Sequence, residues 1–197
     1  MGGTRSTFTL PSNDLEKSLN AAFATNDLQR ICRAVDAGIS ESTSIIAVAR
    51  AAQIDRTTLY RAFRLKNGPA LDTMIKVARV LGFRLIVTTT TKAAAQSNLA
   101  RGRSSTAQRR TGAKVTARGF TTAFKTGEID PLLPAFANAL RAQENVSHFA
   151  RRTIVSREAL YRMFTGPKTP RLGTVLSFLN ALDLHFEVQR LPYVTRR

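Results

Sequence analysis

Residues 55–63 read Asp55-Arg56-Thr57-Thr58-Leu59-Tyr60-Arg61-Ala62-Phe63, and residues 156–164 read Ser156-Arg157-Glu158-Ala159-Leu160-Tyr161-Arg162-Met163-Phe164. The two strings lie 101 residues apart, and at that offset the whole of Leu19–Thr88 aligns with Phe120–Gln189 without a gap. Ala49-Arg50 returns as Ala150-Arg151, Pro69 as Pro170, Leu71 as Leu172, Thr73 as Thr174, Leu81 as Leu182 and Val87 as Val188. The leading helices keep the same register, since Ala22-Phe23-x-Thr25 reappears as Ala123-Phe124-x-Thr126. A contiguous Leu-Tyr-Arg-x-Phe inside a gapless register argues for duplication of one domain. Two units are too few for a solenoid, so two globular copies are expected.

Each copy reads as helices followed by one strand. In the first, Asn13 with Glu16 three residues on suits a capping box, and Gly38 suits a helix stop. Helices are then expected near 44–52, 56–65 and 71–81. Phe83-Arg84-Leu85-Ile86-Val87 alternates like a strand, as does Leu184-His185-Phe186-Glu187-Val188. A lone strand needs a partner, and the simplest is the equivalent strand of the other copy, paired across a pseudo-two-fold axis.

The repeated string fits a helix-turn-helix, in which a support helix props a second helix whose outer face reads DNA bases. Val48, Ala49 and Ala52 face inward from the support helix, Ile54 fills the turn, and Leu59, Ala62 and Phe63 face inward from the second helix. Phe149, Ala150, Thr153, Val155, Leu160, Met163 and Phe164 occupy the matching places. Asp55 and Ser156 suit the N-cap of the second helix. The turn position that favours a positive φ holds Gln53 in one copy and Ile154 in the other. A β-branched residue is strained there, so the second turn is expected to be altered.

The outward positions are Arg56, Thr57, Tyr60, Arg61 and Arg64 in the first copy, and Arg157, Glu158, Tyr161, Arg162 and Thr165 in the second. Arg pairs bidentately with guanine, Glu accepts from cytosine, and Thr touches the thymine methyl. Because some readers are shared and others differ, a bipartite, imperfectly palindromic site is expected, with half-sites roughly 34 Å apart. Arg50, Arg151 and Arg152 on the support helices suit backbone phosphate, which adds affinity without sequence preference.

These strings, each followed by a Pro-containing loop, a Leu-rich helix and a short strand, resemble the addiction-module antidote proteins, a family grouped with HigA-like antitoxins and lambda-repressor-like DNA-binding domains. The likeness covers about 70 residues of each copy. It implies a mainly α fold of two lambda-repressor-like helix-turn-helix domains, each ending in a short β-strand. It also implies action on transcription. Family members usually carry one such domain, so a covalent pseudo-dimer suits a dedicated regulator as well as an antitoxin.

Charge supports a polyanionic partner. The 197 residues carry 30 Lys and Arg against 13 Asp and Glu, a net +17, with a pI near 11.5. Nucleic acid fits this balance best, ahead of an anionic membrane surface. Residues 1–88 and 120–197 each hold a surplus of five positive charges, while 89–119 hold seven basic side chains and no acid. That division gives a first domain over 1–88, a basic flexible linker over 89–119 and a second domain over 120–197. Arg101-Gly102-Arg103 in the linker is similar to the core of an AT-hook, a minor-groove reader, although Ser104 stands where a Pro usually follows.

Other chemistries find little support. The lone Cys32 excludes an internal disulfide framework and a Cys-based zinc site, and its apolar neighbours make it a core residue. His148 corresponds to Ala47 and His185 to Arg84, so no shared metal or acid-base site is built twice. No P-loop, dinucleotide fingerprint or nucleophile elbow is present. No apolar run nears the roughly 18 residues of a membrane span, and Met1–Leu10 lacks a secretory h-region. The sequence thus predicts a cytoplasmic, nucleoid-associated DNA-binding regulator without enzyme activity, metal or cofactor. It would act as a monomeric pseudo-dimer or a homodimer, with RNA polymerase or a toxin-like protein as a second partner. An architectural DNA protein and an antitoxin or antiactivator are the alternatives.

Overall fold

The computed structural model describes residues 13–42, 44–89, 119–123, 131–142, 158 and 169–192. The first copy runs α1 (Asn13–Ala24), α2 (Leu28–Ser42), α3 (Ile45–Ala51), α4 (Arg56–Arg64), α5 (Leu71–Val80) and β1 (Phe83–Thr89). From the second copy come helical residues 119–123, then α6 (Leu132–Arg141), α7 (Leu172–Ala181) and β2 (Leu184–Arg190). The fold is mainly α, with the two strands joined in one antiparallel sheet, as the alternating patterns predict.

The strand register carries the repeat in it. Phe83 faces Arg190, Leu85 faces Val188 and Val87 faces Phe186. Ile86 faces Glu187, and these two are each other's equivalents at the 101-residue offset, so this pair lies on the pseudo-two-fold axis. A second point on the axis is the bridge between Ala70 and Arg171, again equivalent residues. There Leu71 N–H donates to Pro170 O and Leu172 N–H donates to Pro69 O, both at 2.9 Å. The residue leading into each strand is left-handed, with φ 82 at Gly82 and φ 57 at its equivalent, Asp183. Glycine takes that conformation without cost and Asp tolerates it better than most residues.

The copies interlock rather than merely touch. α1 packs chiefly on β2, the strand of the other copy, where the Phe23 and Phe186 rings meet edge to face at 6.1 Å. Among the described residues the sheet has two strands, so each strand has an open edge whose backbone groups need partners. Asn20 meets that need on β2: its Nδ2 donates to Val188 O at 3.2 Å, and Val188 N–H donates to its Oδ1 at 2.7 Å. The equivalent residue, Thr121, does the same on β1, donating to Val87 O at 3.1 Å and accepting from Val87 N–H at 3.4 Å. Each copy therefore clamps the strand of the other.

One continuous core lies under these elements. Leu19, Val35 and Val77 are buried in the first copy, and their equivalents Phe120, Phe136 and Phe178 are buried in the second. The phenylalanines touch in a row, Phe120 tilted against Phe136 with ring centroids 4.7 Å apart and Phe136 edge to face with Phe178 at 5.6 Å. Each fully buried side chain of this size contributes roughly 1.5–3 kcal/mol, so the two halves rest on the same positions filled with different volumes.

Two local expectations need correction. Gly38 does not end a helix, because α2 runs through it to Ser42. It is buried, and a Cβ there would lie 2.9 Å from Leu15 Cδ1, so the glycine admits the close crossing of α1. Asn13 is already helical, within α1, rather than the cap that precedes it. A break between the two leading helices falls at Asn26, with φ 53, followed by Asp27, whose Oδ1 accepts from the backbone N–H of Gln29 at 2.8 Å and of Arg30 at 3.2 Å.

Candidate nucleic-acid interface

The first copy's helix-turn-helix is built as its sequence demands. Ser44 caps α3 by accepting from Ala47 N–H. The helix then stops because Gln53 turns left-handed at φ 54, the conformation expected of this turn, and Ile54 N–H donates back to Ala49 O at 2.9 Å. Asp55 opens α4, its Oδ2 accepting from Thr58 N–H at 3.0 Å. Val48, Ala49, Ala52, Leu59 and Phe63 are buried as predicted, with Ile54 and Ala62 partly buried against them.

Burying that stripe leaves the opposite face of α4 to solvent. Arg56, Thr57, Tyr60, Arg61 and Arg64 are all exposed, and so is Arg50 on α3. Tyr60 is 49% exposed, an unusual amount for an aromatic side chain on a folded surface. Arg64 lies over its ring at 4.5 Å and donates from Nε to both carboxylate oxygens of Asp36 on α2, at 3.1 and 3.2 Å. Hydrogen bonding to Tyr60 first, and to Asp36 next, raises the guanidinium pKa above its ordinary value. Arg64 is thus tied down at the end of α4, whereas Arg56, Thr57 and Arg61 extend from its first two turns.

Sequence reading did not find Asp36. Its partner lies 28 residues away, beyond any local spacing rule, and the signal lies in comparing the copies.

In the second copy, Glu158 is helical and exposed. Arg151, Arg152, Arg157, Tyr161, Arg162 and Thr165 lie outside the described residues, as do Ile154, His148 and the linker arginines Arg101 and Arg103. His185 is buried on β2, with Nε2 at 3.2 Å from Thr88 Oγ1 and 3.3 Å from Glu187 Oε1. Cys32 is buried in α2, and burial pushes its thiol up to about 11. Among the described residues no group of three or more His, Cys, Asp or Glu could hold a metal ion. Nor is any helix among them long and apolar enough to cross a membrane.

A family model described as "Probable addiction module antidote protein" matches the chain twice, over residues 8–89 and 92–190. The chain belongs to that family. The antidote match takes in both copies of the repeat, and its second region begins within the basic stretch. One relative of this antidote chain is an uncharacterized protein of Haemophilus influenzae, 39% identical over 62 residues. That alignment covers 32% of the antidote chain and 63% of the relative, so the chain spans under two thirds of the relative's length. No solved structure matches.

Proposed function

We propose that the chain is a sequence-specific, double-stranded-DNA-binding transcriptional regulator of the antidote type, reading a bipartite operator with two helix-turn-helix units. The observation that carries this is the exposed face of α4, where Arg56, Thr57, Tyr60 and Arg61 project from a helix capped and propped for major-groove entry. Arg56 and Arg61 offer guanidinium forks to guanine, Thr57 a methyl to thymine, and Arg50 a charge to the flanking phosphate. In the second copy Arg157, Glu158, Tyr161, Arg162 and Thr165 take the reading positions, with Arg151 and Arg152 on phosphate. The pseudo-two-fold axis supports paired half-sites, one DNA turn apart or a multiple of it. The domain division at 1–88, 89–119 and 120–197 belongs to this reading, with the linker arginines free to approach a minor groove.

The reading is of a binding protein in the cytoplasm, not an enzyme. The family description favours one further partner, a toxin-like protein held in an addiction pair, alongside the DNA.

Selection from a random duplex library at about 150 mM salt tests the proposal, because screening over roughly 8 Å weakens nonspecific attraction. Enrichment of two related but unequal half-sites is expected. Binding without enrichment would replace it with an architectural role, and absence of binding would leave the protein partner alone.

A further inference from the structure

Asp36 and Arg64 form an ion pair between α2 and α4, and the 101-residue offset carries them to Ala137 and Thr165. Both partners are therefore absent from the second copy, while the tyrosine that Arg64 covers is kept, as Tyr60 and Tyr161. The joint difference marks the pair as a unit. An exposed ion pair contributes little to stability, so its consequence is better sought on the surface it shapes.

That consequence follows from where the pair sits. Arg64 is the last residue of α4, one turn beyond Tyr60 on the same face. Left alone, an arginine here would swing to the nearest phosphate and add sequence-independent affinity. Asp36 accepts the Nε proton on both its oxygens and offsets the charge, which keeps the guanidinium over the Tyr60 ring, 4.5 Å from its centroid. The ring is then held before DNA arrives, and a side chain already in its bound conformation loses less freedom on binding.

We propose that Asp36 is a specificity-determining positioning residue: through Arg64 it orients Tyr60 on the recognition helix and withholds Arg64 from the DNA backbone, making the first copy the more base-selective half of the operator reader. Arg64 itself is then a support rather than a base reader. This rests on the DNA-binding reading above.

The test uses the full chain, with affinity measured against salt on the selected bipartite duplex and on a scrambled duplex of the same composition. Asp36→Ala is expected to lower the preference for the bipartite duplex by roughly tenfold, the scale of one good base contact. The lost base positions should lie in one half-site only. The slope of log affinity on log salt should steepen by about 0.9, the signature of one new phosphate contact. Adding Arg64→Thr, which recreates the pairing of the second copy, should return the slope to its original value without further loss of preference. Should Asp36→Ala fail to fold, Asp36→Asn keeps the side-chain volume, removes the charge and is expected to steepen the slope in the same way.

Equal losses in both half-sites, an unchanged slope, or a uniform loss of affinity alongside a lower melting temperature would overturn the inference. If the unsubstituted chain shows no preference for any duplex, the DNA-binding reading fails and takes this inference with it. If that preference is present and Asp36→Ala leaves it intact, the positioning role alone is refuted.

Discussion

Replacing Asn20 with alanine removes both side-chain hydrogen bonds to Val188 and leaves a backbone N–H and C=O on the open edge of β2 without their partner. At roughly 1 kcal/mol net for each bond, the expected loss is about 2 kcal/mol. Thr121→Ala removes one hydroxyl whose two contacts with Val87 are 3.1 and 3.4 Å long, so about 1 kcal/mol is expected there. For a cooperative unit of this size a loss of 1 kcal/mol lowers the melting temperature by roughly 2–4 °C, which puts Asn20→Ala about 4–8 °C below the parent. Both residues reach across to the other copy's strand, so each substitution should shift one shared transition rather than split it. Thermal and urea unfolding followed by far-ultraviolet circular dichroism reads both quantities, with an unchanged urea slope certifying that the same surface unfolds. A loss under about 0.5 kcal/mol for Asn20→Ala, a cost for Thr121→Ala equal to it, or two separate transitions would refute the interlocked-clamp account.

Three further outcomes are expected. Gln53→Gly should stabilise the chain by about 0.5 kcal/mol, because the left-handed conformation at φ 54 strains a residue with a Cβ, and Gln53→Val should destabilise it, both read by urea titration. Asp55→Ala should cost about 1 kcal/mol in the same titration, since Thr58 N–H loses its acceptor at the head of α4. Cys32 should resist iodoacetamide at pH 8 in the native chain and react once urea unfolds it. The linkage has a definite sign: burial raises the thiol to about 11 against its ordinary value of 9.0, so the unfolded chain releases that proton first. The stability this group contributes is complete below pH 9 and falls as pH climbs toward 11, a decline that Cys32→Ala should remove.

What the sequence made legible was whatever the repeat and the short periodicities carry. Leu59, Phe63, Val48 and Ala49 were readable as a packed hairpin because spacing on a helix dictates which side chains turn inward. The pairing of β1 with β2 was readable because a single alternating strand cannot stand alone and its only equivalent lies in the other copy. Gly38 misled because a glycine in a helical pattern has two explanations, a stop or a close crossing, and only the position of Leu15 decides between them. Asn20 and Val188 are 168 residues apart, and nothing in an asparagine on an amphipathic helix announces a strand edge as its target. The Asp36–Arg64 tie was hidden for the same reason. It could have been found by asking which charges the two copies fail to share.

A residue on the two-fold axis of a homodimer must face its own image, so whatever side chain evolves there is chosen twice at once. Fusing the subunits removes that constraint. Glu187 sits on the axis opposite Ile86, a pairing no homodimer could make, since two identical subunits would set glutamate against glutamate or isoleucine against isoleucine. Like charges directly opposed across a strand pair are destabilising, which handicaps any assembly of two second copies. The chain is thereby steered toward marrying its own unlike halves, and each half is released to diverge without dragging the other along.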